Sequence, residues 1–263
     1  MMTARFRLIR SRQALWSRRL SFFSVPLLLL TALLSRAGYI DPPVALTVIS
    51  VAVALAVVAV ALAIGAFVSI WRHGHRGFRN AFLGFVVGAL VLLLPGYALI
   101  SIVEKPALND VSTDLQNPPA FIAAARVRAA GENTVAYDQA KAPLQRSAYP
   151  GIGPVELDLP VEEAYRLVLE KVLAERWRIL DEREPVNGLE GRVEAVASSP
   201  VFGFDDDVVI TVSDRGDGGS IVNMRSASRY GRHDLGRNAD RIYAFLSELI
   251  EAASPMEIRP EAK

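Results

Sequence analysis

Residues 205–230, "DDDVVITVSDRGDGGSIVNMRSASRY", predict a β-hairpin. Apolar residues alternate along 208–212 and again along 222–224, which is the period of a strand with one buried face. The intervening "DRGDGG" contains the residue types that favour a turn between two strands. The hairpin is therefore the predicted centre of a β-sheet.

The apolar residues also predict the pairing of the two strands, because a slip of one residue would turn every side chain to the opposite face. The alternating set that must share the core face is Val208, Ile210, Val212, Val222 and Met224.

The same alternation of faces assigns the polar residues at the open end of the hairpin to one face or the other. The core face receives Asp206, Ser226 and Ser228. The other face receives residues that we predict to pair across the strands: Asp205, Asp207, Arg225 and Arg229. A carboxylate on the core face needs a partner, because the burial of an unpaired ion is very unfavourable.

The segments around the hairpin predict an α+β domain over 149–252. "PVELDL" predicts a strand, 160–176 a helix, and "WRILDE" and "GRVEAVAS" two further strands before the hairpin. A final amphipathic helix begins near Asp234. The order is β-α-β-β-β-β-α, which favours an antiparallel sheet with two helices packed on one face.

The final helix brings polar side chains to the core face of the hairpin. With Asp234 as the N-cap, Asn238 and Arg241 fall on one stripe of the helix. We therefore predict a structural polar cluster of these residues: Asp206, Ser226, Ser228, Asn238 and Arg241.

Three stretches ahead of this domain contain no Asp, Glu, Lys or Arg: 20–35, 42–71 and 80–103. A helix needs about 20 residues to cross the hydrocarbon core of a bilayer, and we predict a three-helix transmembrane anchor over 20–103. For the shorter first stretch, the alternative is a cleavable signal peptide, although "TALLSRAG" offers no good cleavage site.

The arginines near these stretches predict the orientation. The first nineteen residues carry six Arg and no acid, the first loop carries one Arg and one Asp, and "RHGHRGFR" in the second loop carries three Arg. The positive-inside rule then places the basic N-terminus, 1–19, in the cytoplasm and the C-terminal domain outside. We predict a multi-pass bacterial inner-membrane protein with a periplasmic domain, in contact with the lipid bilayer.

Composition excludes several functions. Residues 1–103 carry ten Arg and one Asp, net +9, whereas 104–263 carry nineteen basic and twenty-seven acidic residues, net −8. An acidic outer domain argues against nucleic acid as a partner. The absence of Cys excludes disulfides and thiol catalysis. A single histidine in the outer domain, His233, is too few for a zinc site, so we predict no metal and no cofactor.

Two further segments have weaker patterns. Residues 104–148 are rich in Pro, Asn, Asp and Ser and predict an extended linker, with a short helix at about 120–130. Residues 253–263 predict a flexible tail.

Three motifs suggest a family. "LNDVSTDLQNPP", "PVFGFDDDVVI" and "RSASRYGRHDLGRNADRI", behind three apolar stretches, resemble the domain-of-unknown-function family numbered 1499 in its alphaproteobacterial, membrane-anchored form. The cysteine-containing N-terminal motif of other branches is absent, so no metal or redox role transfers. The resemblance implies a bacterial envelope location and supplies no established activity.

Three roles compete for the polar residues. The first is the structural cluster. The second is a ligand site for an anionic group, with the residues Arg229, Arg232, His233 and Arg237 beside a helix N-terminus. The third is a periplasmic hydrolase in which His233 is the base, oriented by Asp206 or Asp234. We favour non-enzymatic binding of an anionic envelope ligand or a protein partner, with the hydrolase as the alternative.

Overall fold

The computed structural model describes residues 10–186 and 189–254. The chain divides into two compact units, Met1–Ile100 with Pro200–Gly203 and Ser101–Ser199 with Phe204–Lys263. Residues 1–9 of the predicted basic N-terminus and 255–263 of the predicted tail lie outside the described residues.

Among the described residues, three helices are long and apolar enough to cross a membrane. They are α1 (Arg12–Arg36), α2 (Pro42–His73) and α3 (Phe78–Glu104). The predicted set of three apolar helices is confirmed. The first helix begins earlier than the predicted span, because Ser11 caps it and accepts a hydrogen bond from the amide of Ala14 at 3.3 Å.

Small side chains line the packed faces of these helices. The residues of α2 that are buried are all alanines, and those of α1 are mostly serines. Small residues let helix backbones approach closely where no hydrophobic effect drives association. A Cβ on Gly84 of α3 would lie 2.1 Å from the Ser17 hydroxyl, so that position requires glycine.

The second unit contains an antiparallel sheet, with six strands in the described ranges. These are β1 (Asp110–Ser112), β2 (Val155–Leu157), β3 (Arg178–Arg183), β4 (Gly191–Ser198), β5 (Asp205–Asp214) and β6 (Ser220–Ser228). Their order is β1-β6-β5-β4-β3, and β2 pairs with the same edge of β6 as β1. The helices are α4 (Ala123–Val127), α5 (Ala142–Ala148), α6 (Val161–Ala174) and α7 (Arg237–Ala253).

The predicted hairpin and its pairing are confirmed. Asp206 lies opposite Ser228, and Val208 lies opposite Ser226. From β2 onward, the element order is the predicted β-α-β-β-β-β-α. The apolar face of the sheet packs against α6 and α7, where the rings of Trp177 and Phe245 stack at 5.3 Å.

The extended linker predicted over 104–148 is wrong. Leu108 and Val111 join the main core, and Phe121 and Ala124 cover the opposite face of the sheet. The predicted short helix is present as α4, over a narrower range. We call residues 110–137 the covering segment, because they turn the outer face of the sheet into a second buried layer.

Charged side chains attach the covering segment to the sheet. The carboxylate of Glu194, fully buried on β4, accepts hydrogen bonds from the amides of Ile122, Ala123 and Ala124 at 2.8–3.0 Å. These amides belong to the first turn of α4, whose N–H groups have no partner within the helix. Glu194 therefore fixes the start of α4 on the sheet.

Arg225 of β6 makes the largest number of these attachments. Its guanidinium donates to both carboxylate oxygens of Asp110, at 2.9 and 2.7 Å, and to the carbonyls of Pro119 and Val135. The rings of Phe121 and Tyr137 lie 4.6 and 5.2 Å from the guanidinium carbon. The predicted pairing of Arg225 with Asp205 or Asp207 is therefore replaced by a pairing with the covering segment.

Replacement of Arg225 by Ala is expected to lower the free energy of unfolding by about 3 kcal/mol or more, because Asp110 loses its buried cation. Denaturant unfolding of the full chain in detergent, followed by Trp177 fluorescence in a W16F/W71F background, measures this. The variant should also be cleaved faster by trypsin after Arg126. The matched control is R146A, which removes an exposed arginine; equal effects of the two variants would contradict the role of Arg225.

Candidate functional site

A buried polar cluster joins α7 to the hairpin. Asn238 donates from Nδ2 to the Ser228 hydroxyl at 3.0 Å and accepts at Oδ1 from the Ser226 hydroxyl at 2.7 Å. Arg241 donates to the Ser226 hydroxyl at 2.8 Å and to Asp206 at 2.7 Å. The structure thus brings together all five residues that the sequence placed in one cluster, and every one of them has a partner.

Two arginines predicted to bind a ligand are used for pairing instead. Arg237 donates to Asp206, and Arg229 donates to Asp207 at 2.7 Å. Asp207 is fully buried and also accepts from Arg128 at 2.6 Å. Burial acts to lower the pKa of Arg229, but the hydrogen bonds and charge of Asp207 outweigh it and leave that pKa raised. Arg229 is buried against Asp207, so the prediction that it is open to a ligand is wrong. Arg237 neutralises Asp206 but its side chain is 36% exposed, so its binding of a ligand stays a prediction.

The corner between β6 and α7 is held by His233. Its Nδ1 accepts a hydrogen bond from the amide of Leu235 at 2.9 Å, and its Nε2 lies 3.1 Å from the carbonyl of Lys105. A backbone amide can only donate, so the proton of the neutral ring lies on Nε2 and is donated to Lys105. Both ring nitrogens therefore form hydrogen bonds with backbone groups.

The N-cap of the last helix is Gly236 and not the predicted Asp234, although Asp234 binds the backbone at the helix start. Its carboxylate accepts from the amides of Gly236 at 2.8 Å and Asn238 at 3.0 Å. The helix begins at Arg237 and not near Asp234, because Gly236 takes a left-handed conformation with φ of 84° before it. Among the described residues, no hydrogen bond joins His233 to Asp206 or Asp234. The arrangement proposed for a hydrolase is not assembled.

A cavity of about 220 Å³ lies on the other side of this corner. Its polar lining includes these residues: Asn109, Asn133, Tyr137, Asp138, Lys141 and Arg232. Arg232 is exposed at the rim, where no hydrogen bond or ion pair joins it to any other residue that the structure describes. Of the four residues predicted to bind an anion, Arg232 is the one that the structure places in this cavity.

Amide side chains fix the wall of the cavity. Asn133 donates to the carbonyls of Ser228 and Gly231 at 2.9 and 2.8 Å, and Asn109 donates to Gly231 at 3.0 Å. Gly231 has φ of 83°, a conformation that favours glycine. These bonds hold the backbone immediately before Arg232.

The second cation of the cavity is Lys141. Its ammonium donates to the side-chain oxygen of Asn109 at 3.2 Å, and it makes no ion pair within the described ranges. Of the two carboxylates in the lining, Asp110 is neutralised by Arg225. Asp138 accepts from the amide of Ala140 at 3.1 Å and forms no ion pair with any residue that the structure describes. The cavity therefore presents two cations that lack a carboxylate partner.

Tyr137 adds a neutral hydroxyl to the lining. Burial raises the pKa of Tyr137 to about 12, so this hydroxyl stays protonated at physiological pH. The sequence did not point to Tyr137, Lys141 or Asn133, because they lie in the predicted linker. The one feature of the sequence analysis that points to the lining of this cavity is "LND", which contains Asn109 and Asp110.

Comparisons with known proteins place the second unit in a family. The sequence model of the family described as "Protein of unknown function (DUF1499)" matches residues 110–249, a range from β1 into α7. Among solved structures, CalU16 from Micromonospora echinospora is similar at 18% identity with a TM-score of 0.25, covering 40% of this chain and 75% of that chain. No curated protein matches the chain.

The pKa of Asp234 predicts a dependence of stability on pH. Burial raises this pKa above the ordinary 3.8. The folded state then binds the proton of Asp234 more tightly than the unfolded state does. The contribution of this proton to the free energy of unfolding is therefore complete below pH 3.8 and is lost as pH rises through the higher pKa of the folded state. In D234N, stability relative to the wild type should therefore increase from acidic to neutral pH, as measured by denaturant unfolding at a series of pH values.

The matched variant for this experiment is D217N. A hydrogen bond from Arg215 lowers the pKa of Asp217 below 3.8, so the stability that this group contributes is present above pH 3.8 and is lost as pH falls through the lower folded pKa. The stability of D217N relative to the wild type should therefore fall as pH rises toward 3.8, below the range in which D234N changes. If the wild type and D234N give parallel curves, Asp234 is not the group that titrates.

Proposed function

The chain belongs to the family described as Protein of unknown function (DUF1499), and we propose that it is a non-enzymatic, membrane-anchored binding protein. Its ligand is a small anion, held in the cavity beside Arg232 and Lys141. The observation that carries this proposal is the pair of cations without a carboxylate partner on a wall fixed by Asn109 and Asn133.

The size and chemistry of the cavity favour a small ligand. Its volume of about 220 Å³ lies below the range of about 300–1,000 Å³ that is usual for drug-sized ligands. Arginine and lysine together suit a phosphate or carboxylate group, since both donate charge-assisted hydrogen bonds. Tyr137 and Asn109 supply neutral polar contacts for the rest of the molecule.

We further propose a location for the protein. The arginine bias around the three helices supports a bacterial inner-membrane protein, with a cytoplasmic N-terminus and a periplasmic C-terminal domain. The ligand then belongs to the cell envelope. An envelope protein that presents a carboxylate to Arg232 is the alternative partner. Nucleic acid is disfavoured by the net charge of −8 over residues 104–263.

Ligand binding can be tested by thermal stabilisation of the full chain in detergent, with inorganic phosphate and succinate as probes. An anion that binds only the folded protein stabilises it by about 2.7 kcal/mol at a hundred times its Kd. R232A and K141A should each weaken binding of the active probe by roughly tenfold, equivalent to about 1.4 kcal/mol.

The matched control for these variants is R126A, which removes an exposed arginine outside the cavity. R126A should bind as the wild type does. The proposal fails if neither probe stabilises the wild type, or if R126A loses as much affinity as R232A.

The orientation has its own test. Bacterial alkaline phosphatase, which is active only outside the cytoplasm, should be active when fused after Ser254. It should be inactive when fused after Gly74, in the loop between α2 and α3. The reverse pattern would overturn the proposed periplasmic location.

A further inference from the structure

We propose that α1 carries a binding site for an anionic phospholipid, with the phosphate at Arg18 and Arg19 and an acyl chain in the groove that continues along the helix. The site differs from the anion cavity of the second unit. It rests on the proposed membrane location, which the phosphatase fusions test separately.

The groove lies on one face of α1 and has a volume of about 480 Å³. Its lining residues recur every three or four positions, as one face of a helix requires: Leu15, Arg18, Arg19, Phe22, Phe23 and Pro26. Ser17, Ser21 and Ser24 are buried on the opposite side. The groove therefore belongs to the side of α1 that does not pack within the helical unit.

The two arginines are oriented at one end of the groove. Arg18 donates to the side-chain oxygen of Asn80 at 3.2 Å, and its guanidinium carbon lies 5.6 Å from the centre of the Phe22 ring. The guanidinium carbon of Arg19 lies 5.4 Å from the centre of the Trp16 ring. Neither arginine forms an ion pair with a carboxylate in the described part of the chain. Most of their donors therefore remain available for a phosphate.

The rest of the groove has the chemistry of an acyl-chain site. Phe22 and Phe23 are 46% and 59% exposed, and they follow the arginines by one turn. From Arg19 to Pro26, the helix rises by about 10 Å, which is the direction from headgroup to hydrocarbon if the arginines lie at the interface. Charge at one end and aromatic rings at the other match the two parts of a phospholipid. The positive charge favours an anionic headgroup over a zwitterionic one.

Lipid retention by the full chain can be measured with native mass spectrometry. Protein in detergent is equilibrated with phosphatidylglycerol or with phosphatidylcholine of the same acyl chains. The wild type should retain phosphatidylglycerol at least about tenfold more strongly, and R18Q/R19Q should lose that preference. The matched control is R72Q/R79Q, which removes two exposed arginines near the second loop and should keep the preference.

A wild type without preference for phosphatidylglycerol would overturn the proposal, as would equal loss in R72Q/R79Q. A second measurement keeps both arginines intact. In W71F/W177F, Trp16 is the remaining tryptophan. Phosphatidylglycerol with brominated acyl chains should quench Trp16 fluorescence more than the equivalent phosphatidylcholine does, and equal quenching would contradict the site.

Discussion

Three charged side chains buried on the outer face of the sheet constrain the rest of the second unit. Glu194, Asp207 and Arg225 are each at most 2% exposed. An ion removed from water costs several kcal/mol unless close partners compensate it. Each of the three has a partner in the covering segment: the amides of α4 for Glu194, Arg128 for Asp207, and Asp110 for Arg225. Arg192 and Arg229 add ion pairs to Glu194 and Asp207. The sheet is therefore incomplete without residues 110–137.

The parts of the fold that can be predicted from the sequence are those with a repeating apolar pattern. The hairpin, its pairing and the two long helices follow from apolar periodicity, which is a local property of the sequence. The covering segment contains a strand of three residues and a helix of five, too short to show a period. The charged residues on the second face of the hairpin predicted pairing across its own strands, whereas Arg225 contacts the covering segment. The partner of Arg225, Asp110, is its diagonal neighbour across β1 and β6, but it lies 115 residues away in sequence. The pair could not be predicted because β1 is too short to recognise in the sequence.

The residues of the polar cluster could be predicted from the sequence, whereas most of those that line the anion cavity could not. The alternation of faces along the strands and the residue spacing on α7 are sufficient to group Asp206, Asn238 and Arg241, which the structure joins by hydrogen bonds. The anion cavity was not predictable, since it forms where the covering segment meets the corner after β6. Only Arg232 came from the corner motif, and the second cation of the cavity, Lys141, ends a short 3₁₀ helix, Gln139–Lys141, within the predicted linker. The dense charges of the corner motif therefore indicated the buried polar cluster between α7 and the hairpin better than they indicated the anion cavity.

The β1 strand of the covering segment lies at the edge of the sheet, where Gln145 binds its free side. The side-chain amide of Gln145 accepts from the amide of Ser112 at 3.1 Å and donates to its carbonyl at 2.7 Å, as a neighbouring strand would. Hydrogen–deuterium exchange of the full chain in detergent tests this integration most directly. The amides of Ser112, Ile122 and Ala124 should exchange as slowly as those in the centre of β5. Exchange at the rate of an unstructured chain would show that residues 110–137 are a linker after all.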